Sequence, residues 1–165
     1  MKILSLVIMV AFSISGCEEK YNYNGCHKAK VISYKQLRTD YPKVKAGQKI
    51  GKAAKIYNYK NGDILLINES NKGIHVVDNR IKHKVTKGDY FIEIPGNVDM
   101  AVKNDYLYVD SFTDLIVLDI RDINDIKVVS RKEAIFPEDF YQAVRDDMKK
   151  NRCPEDSDGF VIGYE

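Results

Sequence analysis

A pattern of short apolar segments occurs twice in this chain, and no other feature limits its fold so strongly. In the first copy residues 64–67 precede residues 73–78, and in the second residues 106–109 precede residues 114–119. Position 119 follows position 78 by 41 residues, and position 106 follows position 64 by 42. Short runs of β-branched and aromatic residues between Asn, Asp and Gly turns are typical of β-strands, and a period of about 40 residues is typical of propeller blades.

Each copy has room for four strands. Asn61-Gly62, a strong signal for a tight hairpin, separates the first two strands of the first copy, and Asn104-Asp105 takes its place in the second. The sequence therefore predicts a mainly β fold with two four-stranded, propeller-blade-like repeats over residues 55–137, which together make an incomplete β-propeller. The predicted strands cover residues 56–59, 64–67, 73–78 and 90–94 in the first repeat and 98–102, 106–109, 114–119 and 126–129 in the second.

The part of the chain before the repeats is predicted to be simpler. Two interpretations are open for residues 31–38, a short strand over residues 31–34 and a brief helix over residues 34–38 for which Ser33 is a good N-cap. Pro42 and Gly47 then interrupt regular structure. We therefore assign the stretch up to residue 54 to a tether and an N-terminal connection that adds no core.

A short C-terminal helix is predicted after the repeats. Phe140, Val144 and Met148 recur every four residues, which indicates an amphipathic helix within residues 138–151. A terminal strand at residues 160–162 completes the last unit, residues 138–165. Two blades leave apolar faces and strand edges uncovered, so this helix and strand are candidates to cover them.

The composition fits one folded domain. The chain has 165 residues, 44% of them hydrophobic and 30% charged, with a formal net charge of +2. Nucleic-acid binding depends on an excess of cations along one face, so this balance gives no reason to expect a nucleic-acid partner.

The N-terminus has the pattern of an export signal. Met1-Lys2 is a short cationic start, and residues 3–14 form an apolar core. A helix of these twelve residues is about 18 Å long, too short for the roughly 30 Å of a hydrocarbon core, so it is not a stable membrane span. An ordinary secretory signal and a buried apolar helix are the alternatives.

Ile14-Ser15-Gly16-Cys17 resembles the lipobox of bacterial lipoproteins. The resemblance implies a lipoprotein signal peptide at residues 1–16, cleavage before Cys17, and diacylglycerol and palmitate on Cys17. Residues 17–54 then form the lipid anchor, the tether and the N-terminal connection. Two or more acyl chains hold a protein firmly to a bilayer. Glu18-Glu19 is similar to sorting signals that send lipoproteins to the cell surface. We therefore expect a membrane-anchored protein of the cell envelope, in the outer membrane and surface-exposed.

Cys26 and Cys153 are the cysteines left once Cys17 carries lipid. Exported proteins can keep disulfides, and a bond between these two would close most of the mature chain into one loop. Pairing needs Cα atoms within about 7 Å, a separation that sequence does not give. A disulfide and two unpaired thiols both stay open.

The stretch Leu115-Ile116-Val117-Leu118-Asp119 resembles the strand for which LVIVD-repeat lipoproteins are named. Similar stretches occur at residues 72–79, 94–101 and 106–111. The resemblance covers most of the mature chain and implies a β-propeller-like array on an exported lipoprotein, without implying a reaction. Family members are generally longer, and propellers typically have at least four blades. Either this chain is truncated or something covers the open faces.

No sequence motif for a metal, a cofactor or catalysis stands out. His27, His75 and His83 lack the spacing of a zinc site. Residues 156–159 are similar to part of an EF-hand calcium loop, but Pro154 occupies the first ligand position, which favours a polar turn. Since nucleophile elbows, phosphate loops and His-Glu-x-x-His motifs are also missing, we predict no catalytic residue, no metal and no cofactor.

The two halves of the chain carry opposite charge. Residues 27–88 have fifteen Lys+Arg and four Asp+Glu, whereas residues 89–165 have nine and eighteen. One interpretation is that the halves neutralise each other across the fold. The other is that basic residues near the anchor face anionic lipid headgroups. The candidates for this membrane-facing role are Lys43, Lys45, Lys49, Lys52 and Lys55.

These patterns favour a non-enzymatic binding or scaffolding module with an unidentified protein or glycan partner. The eleven tyrosines support this interpretation, because exposed tyrosine supplies amphipathic binding area. The alternatives are a solute-binding or enzymatic lipoprotein with a pocket where the repeats meet, and a truncated fragment without independent function. A deep pocket with convergent carboxylates or histidines would favour the pocket, and a flat tyrosine-rich face would favour scaffolding.

Replacing the proposed lipid attachment site should release the protein from the membrane. In Cys17→Ser the thiol that accepts diacylglycerol is missing, so the leader should stay uncut and the acylated peptide should disappear. Mass spectrometry of the membrane fraction and of the released fraction of the expressing cell measures both effects. Cys26→Ser serves as the control and should keep its lipid; an uncut variant without lipid that is nonetheless embedded as firmly as wild type would contradict the prediction.

Overall fold

A computed structural model describes residues 29–80, 87–137 and 160–164, which form a mainly β fold. The strands are β1 Ala29–Ile32, β2 Lys43–Ala46, β3 Ala53–Tyr59, β4 Ile64–Glu69, β5 Gly73–Asp78, β6 Tyr90–Glu93, β7 Met100–Lys103, β8 Tyr106–Ser111, β9 Asp114–Asp119, β10 Lys127–Lys132 and β11 Phe160–Tyr164, with helix α1 at Tyr34–Asp40 and a 3₁₀ turn at Lys60–Gly62.

The strands form two antiparallel sheets and one two-stranded ribbon. The first sheet has the order β2-β6-β5-β4-β3, the second has the order β10-β9-β8-β7, and β1 pairs with β11. In each sheet four strands that follow one another in the chain lie side by side, as in a propeller blade. The predicted mainly β fold with two blade-like repeats is confirmed, while the predicted C-terminal helix at residues 138–151 lies outside the described residues.

The two repeats have the same strand register. Ile64 pairs with Asp78 in the first sheet, and Tyr106 pairs with Asp119 in the second. Asn104 and Asp105 form a two-residue turn in which both residues have positive φ, 50° and 63°, as primed hairpin turns require. The first repeat instead uses the longer turn 60–63. This shared register assigns each residue of β4 and β5 a counterpart in β8 and β9.

The two sheets bury one apolar cluster between them. Because side chains alternate along a strand, each repeat has two faces. We call the face with Leu66 and Val76 the front of the first repeat, and the opposite face its back; the counterparts of these faces in the second sheet are the front and the back of the second repeat. The front of the first repeat packs against the back of the second. The buried cluster contains Tyr59, Ile64, Leu66, Ile74, Val76, Ile92 and Ile94 from the first repeat and its end, and Met100, Leu107, Val109, Ile116, Leu118 and Ile120 from the second.

Helix α1 forms as predicted and contributes a second small core. Ser33 caps it: its Oγ accepts a hydrogen bond from the Gln36 N–H at 3.3 Å, and its own N–H donates to Gln36 Oε1 at 3.1 Å. Leu37 is fully buried and packs with Ile32 and Phe112, the last from the β8–β9 turn. The expectation that the chain before the repeats adds no core is therefore wrong for Ile32 and Leu37.

A buried carboxylate joins α1 to the second sheet. Asp114 is fully buried, and it accepts hydrogen bonds from Arg38 Nε at 2.9 Å and Nη2 at 3.0 Å, and from Arg131 Nη1 at 3.0 Å. Burial alone would raise the pKa of Asp114, but these bonds and that from the Ala134 N–H outweigh it and leave the pKa below its ordinary value. Arg131 also donates to the Tyr41 carbonyl at 2.6 Å. The N-terminal segment is thus attached through one charged centre.

Removing the charge of Asp114 should destabilise the fold. Asp114→Asn keeps the side-chain shape but leaves two guanidinium groups without their carboxylate, so we expect a loss of about 3 kcal/mol in the free energy of unfolding. Because the pKa of Asp114 is lowered by folding, this stabilisation is complete above about pH 4 and is lost as the pH falls further. Urea unfolding at pH 7 and pH 3 measures both effects.

The matched control for this prediction is Asp125→Asn, which removes an exposed carboxylate whose ion-pair partner among the described residues is Lys127. It should change the free energy of unfolding by less than about 0.5 kcal/mol. Equal unfolding midpoints for the two variants would contradict the role given to Asp114.

Candidate functional site

A cleft of about 260 Å³ lies at the end of the two sheets where β5 and β9 finish. Both repeats contribute to it, because the turn after β3 and the residues after β5 face the connection from β9 to β10. The lining residues are Lys60, Asp63, Ile64, Arg80, Arg121, Asp122, Ile123 and Asn124.

The same three-residue turn is built twice beside this cleft. Asp78 Oδ1 accepts from the Arg80 N–H at 3.1 Å and from Arg80 Nε at 2.9 Å. Asp119 Oδ1 accepts from the Arg121 N–H and from Arg121 Nε, both at 3.0 Å. In each turn the carboxylate therefore fixes the backbone and one edge of the guanidinium together. The repeat in the sequence therefore produces two arginine side chains that are each held in place by an aspartate.

The two aspartates of these turns have pKa values below the ordinary value for an aspartate. The side-chain hydrogen bond from Arg80, followed by its backbone N–H, lowers the pKa of Asp78 to about 2. The corresponding bonds from Arg121 lower the pKa of Asp119 to about 2. Each arginine pKa is raised by the same pairing. Both Asp–Arg pairs are therefore fully ionised at neutral pH.

A second candidate surface is the front of the second repeat. Its residues Tyr106, Tyr108, Leu115 and Val117 are only half-buried. Their counterparts in the first repeat are almost fully buried, because the second sheet covers them. These counterparts are Ile64, Leu66, Ile74 and Val76, which are 4%, 1%, 0% and 0% exposed.

The back of the first repeat, by contrast, is closed. Ile67, His75 and Val77 are 5%, 0% and 1% exposed. Part of the cover comes from nearby loops, since Gly88 lies against the His75 side chain and the Gly51 N–H donates to Glu69 Oε2 at 3.3 Å. The front of the second repeat is therefore the blade face that the described residues leave most accessible.

A buried charged cluster lies on that closed back. Glu69 accepts from His75 Nε2 at 2.8 Å and also from Lys72. Burial alone would raise the pKa of Glu69, but the bonds from Lys72, His75 and the Gly51 N–H lower it to about 2. His75 is fully buried, and its ring contacts that of Phe91 in a tilted arrangement with the ring centroids 4.7 Å apart. Because no solvent reaches the imidazole, this cluster supports the fold rather than a reaction.

The five lysines predicted to face a membrane do not share one environment. Lys45 forms an ion pair with Glu93 at 2.6 Å, and Lys55 forms one with Asp99 at 2.7 Å. Lys43 lies over the Tyr41 ring at 4.5 Å. Within the described residues, Lys49 and Lys52 form no ion pair and are exposed.

The opposite charges of the two halves are partly neutralised within the fold. The Arg38, Lys45 and Lys55 pairs join the basic half to the acidic half, with Arg38 contacting both Asp114 and Glu133. This pairing supports the interpretation that the halves compensate each other.

Several predicted residues lie outside the described part of the chain. These are the lipidation site Cys17, the cysteines Cys26 and Cys153, and the histidines His27 and His83. In residues 29–80, 87–137 and 160–164, no group of three or more His, Cys, Asp or Glu side chains is arranged to hold a metal ion. No helix in those ranges is long and apolar enough to cross a membrane.

The sequence predicted the strands that carry the cleft and offered a pocket where the repeats meet as an alternative, but it identified none of the residues that line the cleft. The Asp-x-Arg triplet recurs at the repeat spacing of 41, so Asp78-Asn79-Arg80 and Asp119-Ile120-Arg121 were detectable as equivalent turns. Lys60 had no such signal, because it lies in the turn where the two repeats differ in length.

Compared with protein-family models, curated protein sequences and solved structures, this chain matches none.

Neutralising Glu69 should weaken the fold and its response to acid. Glu69→Gln leaves the buried His75 without a charged partner, so we expect a loss of about 2 kcal/mol in the free energy of unfolding at pH 7. Since the folded-state pKa of about 2 lies below the ordinary value of 4.5, wild type should lose this contribution as the pH falls from about 4.5 towards 2. The variant should lose less over that range in urea titrations.

The control for Glu69 is Glu133→Gln, whose side chain is 59% exposed. Its pH profile should follow that of wild type. A Glu69→Gln profile parallel to that of wild type would contradict the assignment.

Proposed function

We propose that this chain is a lipid-anchored bacterial envelope protein whose two β-repeats form a non-enzymatic binding module, of the kind implied by its resemblance to LVIVD-repeat lipoproteins. The anchor rests on the lipobox-like sequence that ends at Cys17. The binding role rests on one observation, the accessible front of the second repeat.

The front of the second repeat has the character of an interface. Tyr108 and Val117 are cross-strand neighbours on it, as Leu66 and Val76 are on the first repeat. Tyrosine in place of leucine keeps apolar area and adds a hydroxyl, a combination enriched at protein interfaces. Val129, at the irregularity of the adjoining edge strand β10, is also 55% exposed.

The occupant that fits this surface is the aliphatic back of another β-repeat, carried by a partner protein. Within the chain, the front of the first repeat packs against the back of the second. By the same arrangement, the accessible front of the second repeat would pack against the back of a further repeat. A second copy of this chain does not supply the matching surface, because its own matching back is closed over Ile67, His75 and Val77. The partner therefore has to be a different chain with an uncovered sheet face.

The remaining basic residues suit a position near the membrane. Lys49 and Lys52 are exposed, belong to the segment that leads from the N-terminal anchor into the first sheet, and are not neutralised within the described residues. Each basic residue close to an anionic leaflet adds about 1 kcal/mol of attraction. They would hold the basic side of the module towards lipid and leave the second repeat for the partner.

Site-specific photo-crosslinking in the native cell tests the binding surface. A Tyr108→p-benzoylphenylalanine variant should form a crosslink whose partner peptide, identified by mass spectrometry, is a strand of a β-repeat in another protein. The same substitution at the exposed Lys35 of α1, outside the residues that form the front of the second repeat, should not yield that peptide.

Each other product at position 108 would overturn the assigned partner. A crosslink to a second copy would indicate self-association, one to residues 138–159 would indicate an internal cover, and one to lipid would indicate membrane contact. The absence of any adduct specific to position 108 would remove the interface altogether.

A further inference from the structure

The cleft between the two Asp-x-Arg turns has uncommitted hydrogen-bond donors. Arg80 uses Nε and Nη2 on Asp78, and Arg121 uses the same two atoms on Asp119. In the described part of the chain, the Nη1 group of each arginine has no acceptor. Because the paired carboxylates already hold the guanidinium groups, a ligand that bound Nη1 would lose little side-chain entropy.

Lys60 adds a third cation and is also held in place. Its Nζ donates to the Arg121 carbonyl at 2.6 Å and lies 5.5 Å from the centre of the Tyr59 ring. One of its three N–H groups is used by that carbonyl, so others are available to a ligand. The contact also links the turn of the first repeat to the end of the second across the cleft.

The cleft offers acceptors as well as donors. The carboxylate of Asp63 accepts no hydrogen bond from the residues that the structure describes, although it interacts electrostatically with Arg80. Asp122 Oδ1 is used by the Asn124 N–H at 2.9 Å and by its side-chain amide at 3.1 Å. Asp63 is therefore the carboxylate most available for a positively charged group.

The balance of charge and size selects the kind of ligand. The two Asp–Arg pairs are each neutral as units, which leaves Lys60 against Asp63 and Asp122 among the lining residues. A lone anion or a lone cation would therefore meet like charge on one side. Ile64 and Ile123 add apolar lining, and about 260 Å³ is below the usual range for drug-sized ligands.

We propose that this cleft binds a small aliphatic α-amino acid. The ligand carboxylate pairs with Arg80 and Arg121, its ammonium group pairs with Asp63, and its side chain contacts Ile123. The site lies at the turn end of the sheets, and none of its lining residues is among the four that define the interface proposed above.

Calorimetric titration of the mature protein with L-leucine tests this site. The matched probes are 4-methylpentanoate, which lacks the ammonium group, and 3-methylbutylamine, which lacks the carboxylate. Leucine should bind saturably below about 10 mM, and each truncated probe should bind at least about tenfold more weakly, since each lacks one charge-assisted pair.

Variants locate the binding to the cleft. Arg121→Gln and Asp63→Asn should each raise the Kd for leucine about tenfold, because each removes one charge-assisted hydrogen bond. Lys127→Gln, an exposed cation outside the cleft that pairs with Asp125, should leave the Kd unchanged. All three side chains are exposed, and unchanged thermal unfolding midpoints would confirm that the variants are folded.

Three results would overturn the assignment. They are no saturable binding of leucine, equal binding of leucine and 4-methylpentanoate, and an unchanged Kd in both cleft variants. Loss of leucine binding would leave the crosslinking result at Tyr108 unaffected, so the two proposals fail separately.

Discussion

Front-to-back packing of the two sheets is the constraint on which the rest of the structure depends. A sheet with apolar side chains on both faces has to bury both, and an ordinary sandwich of two sheets buries only one face of each. Here the front of the first repeat covers the back of the second, as neighbouring propeller blades do. That arrangement leaves two terminal faces, the back of the first repeat and the front of the second. The first of these faces is closed, and the second is accessible.

The back of the first repeat is closed with polar chemistry as well as apolar packing. Glu69 and His75 occupy positions whose counterparts in the second repeat are Ser111 and Ile116. A carboxylate and an imidazole are tolerated there because each hydrogen-bonds to the other and the Gly51 N–H adds a further bond. On the back of the second repeat, Asp114 instead fixes α1 through Arg38. A hydrogen-bonded charged group thus helps to close the back of the first repeat, where a further blade would otherwise supply apolar contacts, whereas the front of the second repeat stays accessible.

The sequence predicted the repeated strands well because their signals are local. Alternating apolar residues, turn dipeptides and the spacing between Asp78 and Asp119 lie within short windows. Strand β2 was missed because Lys43–Ala46 is exposed along its whole length and has no buried side to mark it. The contact between Arg38 and Asp114 joins positions 76 residues apart, so no local sequence pattern indicated it. The cleft also depends on bringing together residues that are far apart in the sequence. Of its parts, only the two Asp-x-Arg turns could be recognised from the sequence.

Native-state hydrogen exchange tests most directly whether the two sheets share one core. If the front of the first repeat is buried only by the back of the second, neither sheet is stable without the other. The slowest amides of β5 and β9 should then exchange with the same opening free energy, equal to that of global unfolding measured in urea. Two distinct opening energies, with one sheet still protected after the other has opened, would show that each sheet has its own core and would contradict the front-to-back packing.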